Sequence, residues 1–345
     1  MTGYGPLSTA SYPPGRNGMR LTVRIVAVTA AAAVIGGGIA AWAASGTAPG
    51  ARSASGHAVV VGHGPRPPAA RPPTPAGPVI DVTGAPQGVK AKGAVLADAA
   101  TGQVLWDRGL NTERPIASVT KVMTALVVLE RGHLDQEIRV PQAAVTYAWK
   151  YGGETAALHP GDELTVQELL EALLLPSGAD AAYTLANAYG PGLNAFIALM
   201  NATAARMGMT HTHFTSPDGL PYPTETSTYS TPSDLLTLGL AAMRFPAFRS
   251  IVDQRFYHLP KGPGHHQYWW DNTNDLIGFY PGAVGIKTGY TDDAGHCLLF
   301  EAIRNGQVLI GAVLDSPAAG VAAGAQDAAR MLNWGFSLGQ AQVGA

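Results

Sequence analysis

Two regimes of hydrophobic patterning divide the chain near Asp81. Before it, Ile25 to Ala44 is apolar or small apart from Thr29, a run long enough to cross a bilayer as a helix. Beyond it, apolar residues fall into short runs bounded by turns. Gly93 to Ala97 and Gln103 to Trp106, separated by Ala100-Thr101-Gly102, predict a hairpin. After Pro115, the spacing of Val119, Val122, Met123, Leu126 and Leu129 predicts a helix, which Val127 and Val128 make apolar nearly all round and therefore buried. Helical periodicity recurs at Thr165 to Leu175, Ala181 to Ala188, Leu193 to Met207 and Pro232 to Ala242. Strand patterns return at Arg255 to Leu259, Gly285 to Gly289, Cys297 to Ile303 and Gln307 to Leu314, the last two split by the hairpin signal Asn305-Gly306, and a helix from Val321 to Phe336 follows. Strands at both ends with helices between them predict an α+β fold. Its antiparallel sheet is built from both chain ends and flanked by helices, with a mainly helical middle subdomain.

The amino-terminal pattern predicts the compartment. Arg16, Arg20 and Arg24 precede the apolar run and no Asp or Glu occurs before Asp81, so the positive-inside rule leaves the rest of the chain outside the plasma membrane. The expected organisation is a short cytoplasmic tail (1–20), a single-pass transmembrane signal-anchor (21–44), a Pro/Ala/Gly-rich linker (45–80) and a catalytic domain (81–345). Ala41-Trp42-Ala43 also fits a signal-peptidase site, whose cleavage would release a secreted protein.

Composition narrows the function. Of 345 residues, 46% are hydrophobic and 13% charged, enough to bury a large core. A net charge of −2 provides no footprint for a phosphate backbone, so nucleic acid is not an expected partner. The lone Cys297 can form no internal disulfide and has no companion at metal-ligand spacing. His211, His213, His265 and His266 lack an accompanying carboxylate motif, and no Walker-type sequence occurs, so neither metal nor nucleotide cofactor is implied.

The candidate chemistry lies in three separated motifs. Ser118-Val119-Thr120-Lys121 puts a hydroxyl and an amine three residues apart on one helical face, where a lysine whose pKa is lowered by burial can activate the serine. The chain has six lysines, and this one sits among Val, Met and Leu, where an unpaired ammonium is costly. Ser177-Gly178-Ala179 follows in a loop between helices, and Lys287-Thr288-Gly289 lies in a strand. In isolation Ser177 reads as a helix N-cap and Lys-Thr-Gly as a strand end.

In this order the three motifs resemble the signature shared by penicillin-binding proteins and serine beta-lactamases. Pro115 to Leu126, Met207 to Phe214, Asp218-Gly219-Leu220, Ser230 to Leu235 and Asn272-Thr273-Asn274 are similar to the D-alanyl-D-alanine carboxypeptidase family in particular, over Lys92 to Phe336. The resemblance implies a penicillin-binding, beta-lactamase-like fold and a serine-type carboxypeptidase that removes the terminal D-alanine from peptidoglycan stem peptides. Ser118 would be the nucleophile, Lys121 its base, and Ser177 the relay to the leaving amine, with its hydroxyl held by Lys287. Thr288 would bind the substrate carboxylate, and the Gly289-Tyr290 strand edge, through the Tyr290 amide together with that of Ser118, would form the oxyanion hole. Beta-lactams would acylate the same serine.

Ala179 departs from the family pattern, which usually has Asn there. Where some relatives use an arginine beyond the Lys-Thr-Gly strand for the carboxylate, the only arginine from Val313 to Met331 is Arg330, so Thr288 would carry that contact without help. Two other readings compete. A non-catalytic peptidoglycan-binding or regulatory module would exploit the loss at Ala179. A beta-lactamase would need a deacylating glutamate, and Glu225 lacks the Leu-Asn expected after it.

Overall fold

The computed structural model describes residues 84–317 and 322–343. The expected tail, membrane segment and linker lie outside the described residues. Among the described residues no single helix is long and apolar enough to cross a membrane.

In chain order, β1 (Gly93–Asp98), β2 (Val104–Arg108) and β3 (Arg114–Pro115) lead through a 3-10 turn (Ala117–Thr120) into α1 (Lys121–Leu129). The middle contains β4 (Glu137–Arg139), α2 (Gln142–Lys150), β5 (Glu163–Thr165), α3 (Val166–Leu174), α4 (Ala179–Tyr189) and α5 (Leu193–Arg206). Then come β6 (Tyr229–Ser230), α6 (Pro232–Ala242), α7 (Pro246–Val252), β7 (Phe256–Leu259) and β8 (Tyr268–Asp271). The chain ends with β9 (Ala283–Thr291), β10 (Gly295–Arg304), β11 (Gln307–Ser316) and α8 (Ala323–Val343).

The main sheet has five antiparallel strands in the order β2-β1-β11-β10-β9, so the two ends of the chain meet where β1 pairs with β11. Asn305 and Gly306 both adopt positive φ (52° and 80°), the geometry that lets a two-residue turn join β10 to β11 without splaying their twist. Both faces of this sheet are covered. Leu96, Leu298, Phe300, Leu309 and Val313 pack with Met331, Leu332 and Phe336 of α8. Val95, Ala97, Leu299, Ile310 and Ala312 face the larger core shared with α1 and α6. Double coverage explains why the strands read as nearly continuous apolar runs.

All nine residues of α1 are buried, as its all-round hydrophobicity predicts. α3 begins with a capping box, in which Thr165 accepts from the Glu168 amide while the Glu168 carboxylate accepts from the Thr165 amide.

The structure corrects the expected sheet in one respect. β7 pairs with β8 in a separate two-stranded arm, outside the main sheet. Phe256 and Trp269 stack on the exposed side of this arm, and Tyr268 and Trp270 are buried on the other. A strand with one exposed face cannot lie inside a sheet covered on both. Helices α2 and α7 lie outside the sequence-predicted elements. Only Ala144 and Ala148 of α2 are buried, too slight an apolar stripe to register as a period, and α7 is seven residues long.

Candidate active site

Ser118 sits in the 3-10 turn that starts α1, immediately after Ala117, whose φ of 45° is rare for a residue with a side chain. The tight turn directs the Lys121 amine back toward the serine. Lys121 Nζ donates to Ser118 Oγ at 2.9 Å and to the Asp218 carbonyl at 2.9 Å. Lys121 is 1% exposed, while Ser118 remains half-buried and reachable from solvent. Burial lowers the amine's pKa to about 8, against the opposing negative charges of Asp218, Asp180 and Glu154.

The Asp218 loop is fixed from several sides. Thr124 Oγ1 donates to the Pro217 carbonyl, and Asp218 Oδ1 accepts from the Leu220 amide at 3.0 Å and from Tyr147 OH at 3.3 Å. Gly219 has φ of +81° and lies so close to the Ala117 carbonyl that a Cβ would overlap it. Only glycine lets this loop reach the nucleophile turn.

β9 forms the opposite wall as an edge strand of the main sheet. A Cβ on Gly289 would lie 2.8 Å from the Ile116 oxygen and 2.9 Å from the Ser118 amide nitrogen, so a bare backbone is needed at that point. Lys-Thr-Gly is thus mid-strand, not a strand end. Lys287 is 1% exposed, and burial, followed by the nearby charge of Lys121, lowers its pKa well below the usual lysine range. Lys287 Nζ donates to the Thr288 carbonyl at 3.1 Å and approaches Thr288 Oγ1 at 3.4 Å. The expected bond from Lys287 to the Ser177 hydroxyl is not formed. The Tyr290 ring is exposed, beside His296.

Ser177 lies on the loop before α4 with φ of 67°, and Gly178 is the helix N-cap, so the capping reading of Ser177 does not hold. Its hydroxyl is buried and unpartnered, which leaves it able to exchange a proton with a bound group. Thr273 ties this loop to β9: its amide donates to the Leu175 carbonyl at 3.1 Å, and its hydroxyl lies 2.7 Å from Thr288 Oγ1. Ala179 opens α4, and its amide donates to the Glu154 carbonyl at 2.7 Å. Asp180 accepts from Thr155 Oγ1 and from the amides of Ala156 and Leu158, binding the 155–158 segment to the start of α4.

Other candidates are occupied elsewhere. Arg330 pairs with Asp327 on α8 beside Gly88, on the covered outer face of the sheet. Cys297 is buried, its thiol pushed up to about 12 by desolvation. His211 meets Glu113 and His266 meets Asp162. Among the described residues no group of three or more His, Cys, Asp or Glu is gathered to hold a metal. Tyr147, Glu154 and Asp180 were not legible as site residues. An acid in the first turn of a helix, as Asp180 is, was the one available signal.

A half-exposed serine hydrogen-bonded to a buried lysine, beneath a strand edge carrying a second buried lysine, defines an active-site-serine peptidase of the penicillin-binding type. The D-alanyl-D-alanine carboxypeptidase family model matches residues 81–318, and the chain belongs to that family. It is 37% identical over 262 residues to a D-alanyl-D-alanine carboxypeptidase of Streptomyces sp. strain K15, spanning 72% of this chain and 88% of the relative. The crystal structure of the Streptomyces K15 DD-transpeptidase superposes with a TM-score of 0.68, at 37% identity, over 72% of this chain and 98% of that one. The D-alanyl-D-alanine carboxypeptidase structure from Mycobacterium tuberculosis H37Rv gives 0.65 at 34% identity, over 77% and 95%.

Proposed function

We propose that this protein is a serine-type D-Ala-D-Ala carboxypeptidase acting on peptidoglycan stem peptides through an acyl-enzyme. The observation that carries the reading is the 2.9 Å contact between Ser118 Oγ and a lysine amine whose pKa burial lowers to about 8. Neutral Lys121 takes the serine proton as Oγ attacks the carbonyl of the penultimate D-alanine. Backbone amides at Ser118 and on the adjoining β9 edge stabilise the oxyanion. The C–N bond then breaks, and the departing amine of the last D-alanine receives a proton from Lys121, with the unpartnered Ser177 hydroxyl as relay. Thr288, at the edge of the pocket, binds the leaving residue's carboxylate, and that anion favours the protonated form of Lys287, which burial otherwise disfavours. Water, deprotonated in turn by Lys121, frees the shortened peptide from the ester.

Penicillin presents a similar acylated amide and acylates Ser118. The apolar run at Ile25 to Ala44 supports a single-pass plasma-membrane anchor with the enzyme outside, or a secreted enzyme if the segment is cleaved. The test is release of free D-alanine from a synthetic acyl-D-Ala-D-Ala peptide, with and without an added amine acceptor. The wild type is expected to release it and Ser118→Ala is not. Intact-mass analysis should find one penicillin adduct, absent from Ser118→Ala. Peptide binding without release would instead identify a non-catalytic module.

A further inference from the structure

The pocket has a direction. Its two walls, β9 and the 175–179 loop, are joined at one end by Thr273, which contacts both Leu175 and Thr288. That closed end is where the proposed reaction puts the terminal carboxylate. Passing Ser177, the same wall continues through Ala179 to Glu154 and Gly153. A Cβ on Gly153 would lie 2.8 Å from that of Ala179 and 3.1 Å from Leu220 Cδ1, which brings the wall to the Asp218 loop. Tyr222, on that loop, packs at a tilt against Tyr151, with ring centroids 5.6 Å apart, and both rings are exposed. The wall thus runs from the closed end past Glu154 toward these tyrosines, the path that the proposed reaction leaves for the acyl side of a peptide.

We propose that Glu154 is a specificity residue for this acyl side, selecting stem peptides whose residue before the two D-alanines carries a free side-chain ammonium. This rests on the carboxypeptidase reading above. The Glu154 carboxylate is exposed and makes no hydrogen bond or ion pair among the described residues, while its backbone is hydrogen-bonded to the start of α4. Its carbonyl accepts the Ala179 amide, and the next residues are clamped by Asp180. Its charge is felt by both Lys121 and Lys287, which puts it within electrostatic reach of the reacting centre. The small Ala179 side chain lets the 153–154 segment approach this closely. An ammonium on a flexible aliphatic stem can run along the Leu220 and Tyr222 surface and end at the carboxylate.

The experiment compares D-alanine release from acyl-L-Lys-D-Ala-D-Ala with its Nε-acetylated form, using the full-length wild type, Glu154→Gln and Glu154→Lys. The wild type is expected to prefer the free amine in kcat/KM by about three- to tenfold, the size of one partly exposed charge pair. In Glu154→Gln the preference should collapse to near unity. Glu154→Lys should instead favour acyl-L-Glu-D-Ala-D-Ala. Any effect of the glutamate on the two lysines alters both peptides alike and cancels in the ratio. Release by the wild type without preference, or a preference retained in Glu154→Gln, overturns this inference alone. No release from either peptide by the wild type overturns the assigned reaction and this inference with it.

Discussion

Lys121 does at residue scale what a solvated lysine cannot. In the proposed mechanism the neutral amine activates Ser118, so benzylpenicillin acylation should rise with pH through a limb near 8, the value to which burial lowers the group. The second-order rate constant, followed from about pH 6 to about pH 10, checks this. Lys121→Arg, which cannot shed its proton, should acylate more slowly by roughly a thousandfold or more, with no recovery at high pH. Gly289 acts through the absence of a side chain. Because a Cβ there would press on the Ile116 oxygen and the Ser118 amide, Gly289→Val should push β9 off the nucleophile turn. Acylation should fall by at least about a hundredfold, the scale of losing one oxyanion donor.

At the scale of elements, α3 carries a charge problem that the site does not use. Glu171 is buried, and Gln254 Nε2, just beyond α7, donates to both its carboxylate oxygens while Gln167 Nε2 of α3 donates to one. Desolvation, only partly offset by these bonds, raises its pKa to about 7 from 4.5. The unfolded chain loses this proton near 4.5 and the folded chain not until about 7. The folded state therefore binds the extra proton in that window, and stability must fall as pH rises through it. Glu171→Gln removes this dependence. Urea denaturation should show its advantage over the wild type growing between those two pH values and level above them.

At the scale of the whole molecule, the larger core lies beneath the pocket and the smaller one lies with α8. α8 covers the sheet face away from Ser118, where Leu332 is fully buried with Leu96, Leu298 and Phe300. Leu332→Ala should cost about 2–5 kcal/mol in urea denaturation. Penicillin acylation per folded molecule should remain close to the wild-type rate, because Lys287 pairs with Leu299 and α1 packs in the core on the opposite face of the sheet.

Local patterns carried a large part of this into the sequence. The hairpin at Asn305-Gly306, the all-round apolar α1 and the helices α3 to α6 are governed by nearest neighbours, and the three motifs are short enough to recognise. The arm of β7 and β8 and the weakly apolar α2 were harder to read, because their state depends on what covers them. The Ser118–Lys121 pair spans three residues in one turn, so sequence alone determined that a hydroxyl and an amine could meet. That the amine is buried, that Gly219 and Gly289 admit a distant loop and a distant strand to the same turn, and that Glu154 is tied to the start of α4 were decided only by tertiary structure. Desolvation and close approach are properties of surroundings assembled from segments distant in the chain.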